Sequence, residues 1–310
     1  KDGDERKRIT GLPDDLQSGG QGGLLDIVLS PDYEATKRVY FSYSAANAAG
    51  KRNTQVARAR LDLENAKLRD LEIIFSARPK LDGGQHFGSR LLFGRDGYLY
   101  ITLGERGRKA QAQNPGNHLG TLVRINPDGS VPDDNPFIDD PRKRDEIYSY
   151  GHRNIQGIAR QPGTGRIWLH EHGPRGGDEV NIVKKGANYG WPKVTHGIDY
   201  DGSIISRKTS MPDMTGPVIH WTPSIAPSGL AFYSGDKFPQ WRGNALAGAL
   251  AGRHLHYMDV RSTDIVGQYT VLKDLNARIR DVRSGPDGYL YVLTDARNGK
   301  LIRLMPSTEQ

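Results

Sequence analysis

The 310-residue sequence contains no cysteine, so no disulfide holds the fold and any metal ion has to be bound without thiolate. No apolar run approaches the ~20 residues of a membrane-spanning helix, and the start of the chain shows no signal peptide. A Walker sequence, a glycine-rich phosphate loop and a Gly-x-Ser-x-Gly elbow are also missing. These absences predict no membrane span and leave covalent serine or cysteine chemistry without support.

The charge balance is basic, with 43 Lys and Arg against 36 Asp and Glu, for a formal net charge of +7. The basic residues are scattered along the chain rather than grouped into one patch. The densest run, residues 141–144 (PRKR), is flanked by acidic residues on both sides. This run is typical of a solvated loop, and we expect no nucleic-acid partner.

Glycine (38 residues) and proline (18 residues) are abundant, and they punctuate a recurring unit. A turn containing Asp-Gly leads into an alternating strand at residues 94–105 (GRDGYLYITLGE) and again at 285–295 (GPDGYLYVLTD). Asp-Gly is a hairpin signal, and the period of 2 allows one strand face to be buried. Looser copies occur at residues 30–43 and 163–170. These units are too many for a small β-sandwich and predict an all-β propeller of four-stranded antiparallel sheets.

We expect residues 1–310 to form a single propeller domain, since no linker divides the chain. Residues 54–61 alternate well enough to be read as a strand rather than a helix. The start of the chain is short for a complete propeller, because a first strand is expected before residues 10–13. The N-terminal first strand is therefore expected to be missing, or the ring closes differently.

Two stretches carry side chains suited to proton transfer and charge stabilisation. His86 lies among glycines in residues 83–90 (GGQHFGSR), just before a predicted strand, and histidine exchanges a proton near neutral pH. A turn histidine bonded to a neighbouring carbonyl is an equally good reading. Arg153 and Asn154 lie in residues 150–157 (YGHRNIQG), where the guanidinium suits a carboxylate or a quinone oxygen. A surface salt bridge is the plainer reading of that arginine.

Residues 170–181 (HEHGPRGGDEVN) are rich in oxygen donors. His170 and His172 lie two residues apart, so on a strand they could share a face and bind zinc. No third ligand of that type lies nearby. Carboxylates, Asn and turn carbonyls favour a hard cation such as Ca²⁺. The EF-hand spacing is absent, and an acidic turn without an ion remains an alternative.

Residues 278–283 (RIRDVR) place Arg278 and Arg280 on one side of a predicted strand. Two guanidinium groups on one face repel each other unless an anion or a carboxylate lies between them. The pattern indicates a clamp for an anionic ligand, and the alternative is a solvated edge strand.

Taken in order, these stretches resemble the soluble PQQ-dependent aldose and glucose dehydrogenases over nearly the whole chain. The resemblance begins at residues 20–25 (GQGGLL) and 31–33 (PDY) and continues through 85–91 (QHFGSRL) and 151–154 (GHRN). It then includes 171–174 (EHGP), 178–179 (DE), 188–192 (NYGWP), 278–282 (RIRDV) and 293–295 (LTD). The family implies a six-bladed propeller that binds pyrroloquinoline quinone (PQQ) and Ca²⁺.

The resemblance also implies a role for individual residues. His86 would accept the proton of the sugar C1 hydroxyl, and Arg153 would stabilise charge on the quinone oxygen. Further contacts to PQQ would come from Gln21, Arg153, Asn154, Arg278, Arg280 and Thr294. The carbonyls of Gly173 and Pro174 would hold the Ca²⁺ that binds PQQ. A second Ca²⁺ would be held by Glu179 and the Tyr189 carbonyl, with Asp199 as a weaker candidate.

Three positions depart from the family pattern. Ala251 stands where the family often has lysine, so Arg253 is the candidate substitute for that PQQ contact. Gln85 replaces an aspartate of the glucose enzyme, and Glu105 replaces a shorter acid. Both departures are expected to influence the basicity of His86 and the choice of sugar.

The implied function is oxidation of aldose sugars at C1 to lactones, with electrons passed to an unidentified acceptor. Two other classes remain open: a non-enzymatic propeller that acts as a binding module, and a calcium-dependent lactone hydrolase. A binding module has no need of His86, Arg153, Arg278 and Arg280 together. A hydrolase would need a metal held by carboxylates and Asn but no arginine clamp. A periplasmic or secreted location is implied by the family alone.

Overall fold

The computed structural model describes residues 7–88 and 90–307. The chain forms two compact units, residues 1–147 and residues 148–310. Within the described residues, regular structure is almost entirely β, since the α-helical part is one turn, α1 (Tyr33–Thr36). No helix among these residues is long and apolar enough to cross a membrane.

The first unit is built from two antiparallel sheets whose strands follow one another in chain order. The first sheet contains β1 (Leu24–Leu29), β2 (Arg38–Ala46), β3 (Arg52–Asp62) and β4 (Lys67–Ser76). The second contains β5 (Leu91–Phe93), β6 (Leu99–Thr102), β7 (Thr121–Ile125) and β8 (Ile147–Tyr150), which ends in the second unit. A 3₁₀ turn, Lys109–Gln113, lies between β6 and β7.

The core of this unit lies between its two sheets. Alternate residues of β2 and β3, such as Tyr40 and Val56, pack against Leu91, Leu99 and Ile101 of the second sheet. Each of these side chains is at least 98% buried, and burying one contributes roughly 1.5–3 kcal/mol to folding. The apolar side chains that recur at every second residue of these strands therefore hold the two sheets together.

The second unit contains three further antiparallel sheets, and in each of them strands that are consecutive in the chain are neighbours. The first has β9 (Ile155–Arg160), β10 (Ile167–Glu171), β11 (Asp178–Ile182) and β12 (Ile219–Trp221). The second has β13 (Pro227–Phe232), β14 (Ala245–Ala249), β15 (His254–Arg261) and β16 (Asp264–Val271). The third has β17 (Ile279–Ser284), β18 (Leu290–Thr294) and β19 (Leu301–Leu304). Two apolar clusters fill the spaces between successive sheets.

The all-β propeller class with four-stranded antiparallel sheets is confirmed, but the expected number of six is wrong. The residues that the structure describes form five sheets, and the last has three strands. One reason is that residues 7–23 add no sheet of their own. Thr10 bridges to Lys67 and Leu16 bridges to Ala45, so this segment packs on the first sheet. The strand expected before residue 10 falls mainly on residues 1–6, which lie outside the described residues.

Both Asp-Gly turns form the predicted hairpins. The Gly94 N–H donates to the Tyr98 carbonyl (2.9 Å), and Gly97 has φ +82°, a conformation in which glycine carries no Cβ penalty. Gly288 repeats the same φ of +82° between β17 and β18. Residues 54–61 lie within β3, which confirms the strand reading. In contrast, residues 178–182 form β11, a strand that none of the sequence patterns described above predicts.

The first strand of four sheets carries one extra residue, a β-bulge, close to its start. The extra residues are Leu25 in β1, Gln156 in β9, Gly229 in β13 and Arg280 in β17. A bulge bends the strand and re-aims the side chain that it carries. These positions therefore break the period of 2 that the sequence reading assumed.

Candidate functional site

His86 in the first unit is held from two sides. Its backbone N–H donates to Gln21 Oε1 (2.8 Å), and its ring Nδ1 lies 3.0 Å from Glu105 Oε1. The Glu105 side chain is 1% exposed and that of His86 is 12% exposed. An ionised carboxylate only accepts hydrogen bonds, so Nδ1 donates and the lone pair remains on Nε2. No described residue hydrogen-bonds Nε2, which leaves this nitrogen able to accept a proton.

The backbone of His86 has φ +53°, a left-handed conformation that is uncommon for residues other than glycine. Such strain persists only where the surroundings fix it, and it clusters at functional sites. The Gln21 N–H donates to the Gly84 carbonyl (2.6 Å). A Cβ on Gly20 would lie 2.5 Å from that same oxygen, so the two loops fit only with glycine there.

Arg106 is the main support of the His86 loop, and no sequence motif identified it. Its guanidinium donates to the carbonyls of Gln85 (2.6 Å), Gly83 (2.7 Å) and Arg52 (2.9 Å). The guanidinium carbon also lies 3.8 Å from the centre of the Phe87 ring. Burial, together with the charge of Arg52, lowers the pKa of Arg106 to about 10, so this side chain remains cationic at neutral pH.

We expect Arg106→Met to lower the free energy of unfolding by about 2–4 kcal/mol, since it leaves three carbonyls without their charged donor. Chemical denaturation followed by tryptophan fluorescence measures this change. Arg108→Met is the matched control, because Arg108 is exposed and two residues away. Equal losses in the two variants would contradict the supporting role.

Arg153 and Asn154 in the second unit are buried, 5% and 2% exposed, which excludes the surface salt bridge considered from the sequence. Glu171 joins the segment to β10: its Oε1 lies 2.8 Å from His152 Nδ1, and its Oε2 accepts the Arg153 N–H at 2.5 Å. The Arg153 guanidinium donates to the His172 carbonyl (3.1 Å). The hydrogen bond to the His172 carbonyl thus holds the Arg153 side chain in one orientation.

His170 and His172 do not converge on a common ligand position. His170 Nε2 lies 3.2 Å from the Gly229 carbonyl, and His172 Nε2 lies 2.7 Å from the Pro227 carbonyl. Both rings therefore tie this segment to β13. Across the described residues, no group of three or more His, Cys, Asp or Glu side chains forms a metal-ligand set.

Asp178 organises the backbone around Gly173. Its Oδ1 accepts the Gly173 N–H at 2.9 Å. Its Oδ2 accepts three donors, the Ser224 hydroxyl (2.7 Å) and the N–H groups of Ile225 (2.9 Å) and Ala226 (3.0 Å). Burial raises the pKa of Asp178, and these hydrogen bonds oppose that rise. One buried carboxylate therefore fixes the Gly173 turn and a loop that follows it by about fifty residues.

Glu179 borders a small pocket with Glu171, Tyr189 and Trp191, and this pocket has the chemistry of a cation site. Burial, reinforced by the negative charge of Glu171, raises the pKa of Glu179. Asn181 Oδ1 is buried and has no hydrogen-bond partner. Close carboxylates and an unsatisfied oxygen favour a proton or a hard cation among them. The residues thus fit calcium, provided that backbone carbonyls complete the ligand set.

Arg278 and Arg280 meet at Asp295. Arg278 Nε lies 2.8 Å from Asp295 Oδ2, and Arg280 Nη2 lies 3.2 Å from Asp295 Oδ1. The carboxylate between two guanidinium groups is the arrangement that their repulsion requires. Both arginine side chains are more than 40% exposed. The bulge at Arg280 and the turn before β17 bring them together, and two exposed guanidinium groups suit an anionic ligand.

A groove of about 800 Å³ lies in the second unit. Pro174 and Ala251 line it, with Thr222 and Ser224, which the sequence reading missed. Arg253 is exposed and its Nη1 lies 3.3 Å from Asn276 Oδ1. The remaining candidate, Thr294, is the cross-strand neighbour of Ile279 and its hydroxyl accepts the Lys300 N–H at 2.8 Å.

The fold and the site together describe a propeller protein with a carboxylate-paired histidine and an exposed arginine pair. Enzymes that remove a proton and bind an anionic cofactor need both features. The chain belongs to the glucose/sorbosone dehydrogenase family, whose model matches residues 1–303. It is therefore a dehydrogenase.

Its relatives include the aldose sugar dehydrogenase YliI of Escherichia coli strain K12, which is 46% identical over 300 residues, 96% of this chain and 81% of the relative. A crystal structure of a glucose dehydrogenase is 45% identical with a TM-score of 0.95, and the match covers 97% of this chain and 88% of that one. The PQQ-bound aldose sugar dehydrogenase of Streptomyces coelicolor is 29% identical with a TM-score of 0.77, over 94% and 81% of the two chains.

Proposed function

We propose that the protein oxidises aldose sugars at C1 to lactones, with PQQ as cofactor and calcium as the ion that binds PQQ. The observation that carries this proposal is the pairing of His86 Nδ1 with the buried Glu105 carboxylate at 3.0 Å. The pairing orients Nε2 as an acceptor, and oxidation of a sugar hydroxyl requires that its proton be removed. The family match favours this function over a binding module or a lactone hydrolase.

The chain's own residues would divide the work as follows. His86 would take the proton of the C1 hydroxyl at Nε2, and Gln21 would keep the His86 backbone in place. Arg153 would stabilise negative charge, because its guanidinium is buried and held by the His172 carbonyl. When bound, PQQ would supply the quinone that accepts the hydride. Electrons would then leave to an acceptor that the sequence does not identify.

Cofactor binding would rest on charge complementarity. Arg278 and Arg280 would bind PQQ carboxylates, since both guanidinium side chains are more than 40% exposed and lie side by side at Asp295. Asn154, Arg253 and Thr294 are proposed as further contacts. The carbonyls of Gly173 and Pro174 are proposed ligands of the calcium that binds PQQ. Glu179 and the Tyr189 carbonyl are proposed ligands of a second calcium ion. A periplasmic or secreted location stays a prediction.

Reconstitution tests the function directly. Protein purified without cofactor is mixed with PQQ and Ca²⁺, and sugar-dependent reduction of an artificial dye is followed. We expect activity only when PQQ, Ca²⁺ and an aldose are all present, and no activity with a lactone as substrate. Failure to bind PQQ, together with no oxidation of any aldose tested, would overturn the proposal.

Calcium is expected to raise the midpoint of thermal unfolding, and Glu179→Gln should abolish most of that rise. The raised pKa of Glu179 means that the folded state without calcium binds more protons than the unfolded state above the ordinary value of 4.5. Stability without calcium therefore falls as pH rises from 4.5 to the raised pKa and levels off above it, whereas calcium displaces the proton and stabilises more as pH rises over that range. Calorimetry from pH 5 to 9 measures both slopes. Glu64→Gln, an exposed carboxylate, is the control, and an unchanged calcium effect in Glu179→Gln would contradict the site.

A further inference from the structure

A buried chain of polar groups runs across the sheet formed by β13–β16. His254 Nδ1 lies 2.8 Å from the Gly252 carbonyl, and His254 Nε2 lies 3.2 Å from His256 Nδ1. His256 Nε2 lies 3.0 Å from Gln268 Oε1, which also accepts the Trp221 indole N–H at 2.8 Å. Both histidines are 7% exposed. Each ring nitrogen in this network thus has a protein partner.

The two ends of the chain fix the protons on the outer nitrogens. The Trp221 indole only donates, so the Gln268 atom that faces it is the oxygen. An oxygen that also faces His256 Nε2 requires that this nitrogen carry a proton. At the other end the Gly252 carbonyl only accepts, so His254 Nδ1 carries a proton as well.

The two inner nitrogens then face each other with nothing between them if both rings are neutral. A neutral imidazole has one N–H, and each ring has already placed its own on the outer nitrogen. Two buried lone pairs at 3.2 Å would be unsatisfied acceptors, which proteins rarely tolerate. We infer that His254 and His256 bind one additional proton between them, and that this shared proton positions the turn of residues 251–253.

The surroundings favour one positive charge on the pair rather than none or two. The carbonyl oxygens of Gly252 and Gln268 lie at its two ends and stabilise a cation. Burial lowers the pKa of His256, the Gln268 hydrogen bond opposes this, and the charge of His254 lowers it further. A second proton is thereby disfavoured. Among the described residues, no charged group hydrogen-bonds either ring.

No charged or titratable group lies on the strands β13 and β14. The groups on the other surrounding elements are Arg253 in the adjoining turn, Tyr257, Asp259 and Arg261 on β15, Asp264 and Tyr269 on β16, Lys273 and Asp274 in the 3₁₀ turn that contacts β15, Arg280, Asp281 and Arg283 on β17, and Asp178, Glu179 and His220 on β11 and β12. Asp178 is engaged by its four donors, and Asp259 and Asp264 lie toward the far end of their strands from His254. The outer hydrogen bonds of the His254–His256 pair are made to the carbonyl oxygens of Gly252 and Gln268.

The turn of residues 251–253 depends closely on the His254 ring. A Cβ on Gly252 would lie 2.6 Å from His254 Cε1, and Arg253 has φ +53°. The N–H groups of Ala251 and Gly252 both donate to the Ile225 carbonyl, at 3.0 and 3.1 Å. Loss of the proton would weaken the hydrogen bond between His254 Nδ1 and the Gly252 carbonyl. The two hydrogen bonds to the Ile225 carbonyl would weaken with it. A contact of Arg253 and Ala251 with a cofactor rests on the proposed function, whereas the inference of a shared proton does not rest on it.

Nitrogen-15 NMR of the full chain, labelled at histidine and prepared without cofactor, tests the shared proton. At pH 7 we expect His254 to show two protonated ring nitrogens and His256 to show one. Assignment uses His254→Gln and His256→Gln, and the wild-type spectrum itself does not depend on their stability. Two neutral rings at pH 7 would overturn the inference whatever the outcome of the sugar assay.

Hydrogen exchange tests the positioning of the turn. As pH rises and the shared proton is lost, the protection factors of the Ala251 and Gly252 amides should fall about 10-fold, in step with the ring signals. The Leu290 amide, in the neighbouring sheet, should keep its protection factor and serves as the internal control. Protection at residues 251 and 252 that stays constant while the rings titrate would overturn the positioning role.

Discussion

Replacing His86 with alanine is expected to lower kcat for aldose oxidation by about 10²–10⁴-fold, the usual contribution of a positioned general base. The loss follows from the geometry, because Nε2 of this ring is the acceptor that the Glu105 pairing leaves available. Binding of PQQ should be nearly unchanged, since the variant removes no charge from the Arg278 and Arg280 pair. Steady-state dye reduction and fluorescence titration with PQQ measure the two quantities.

Glu105→Gln tests the orientation of the His86 ring while leaving the ring itself in place. The amide keeps the size of the side chain but no longer demands a proton on His86 Nδ1, so part of the population adopts the opposite tautomer. We expect kcat to fall about 10–100-fold, less than in His86→Ala. Glu72→Gln, which alters an exposed carboxylate in the same unit, is the matched control. Retention of more than a tenth of wild-type activity by His86→Ala would contradict the assignment of the base.

Asp178→Ala is expected to lower the free energy of unfolding by about 3–5 kcal/mol, the cost of removing one partner from a buried charged network. Four donors, the N–H groups of Gly173, Ile225 and Ala226 and the Ser224 hydroxyl, would lose their acceptor at once. Urea denaturation at pH 7 measures the loss.

Asp178→Asn tests the hydrogen bond to the Gly173 N–H separately from the other three. An amide oxygen facing Ser224, Ile225 and Ala226 preserves three hydrogen bonds, while the amide nitrogen then faces the Gly173 N–H. We expect a smaller loss of about 1–2 kcal/mol and weaker calcium binding, if the Gly173 carbonyl is a calcium ligand. Asp264→Ala, an exposed carboxylate at the start of β16, controls for the loss of charge. A stability loss in Asp178→Ala no larger than in Asp264→Ala would contradict the network.

Local signals in the sequence predicted much of the fold. The Asp96-Gly97 and Asp287-Gly288 turns form the expected hairpins because their glycines supply a positive φ, which depends only on neighbouring residues. The alternation of residues 54–61 likewise predicted β3. The number of sheets could not be predicted in this way, because it depends on whether residues 7–23 build a sheet or pack on an existing one.

The candidate site was predicted in its residue types but not in its supports. His86 and the arginine pair stood out by composition and order, whereas Arg106 looked like one basic residue among many. The Asp178 network joins residues that lie 46 to 48 positions apart, which no local pattern reports. The role of Asp295 between Arg278 and Arg280 also depended on a bulge, and a bulge leaves no periodic trace in the sequence.

The bulges at the starts of the first strands have a consequence for how this scaffold could acquire new specificities. The extra residue of a bulge lies outside the cross-strand register, so it does not set the alignment of the residues on either side of it. Leu25, Gln156 and Arg280, which are half-buried, differ in size, polarity and charge, yet the pairing on both sides of each is regular. Gly229 is the exception, because a Cβ there would lie 2.3 Å from Asp281 Oδ1. Three positions are therefore open to randomisation in a library, since changing them exchanges the chemistry at a strand end while the ladder that carries it stays intact.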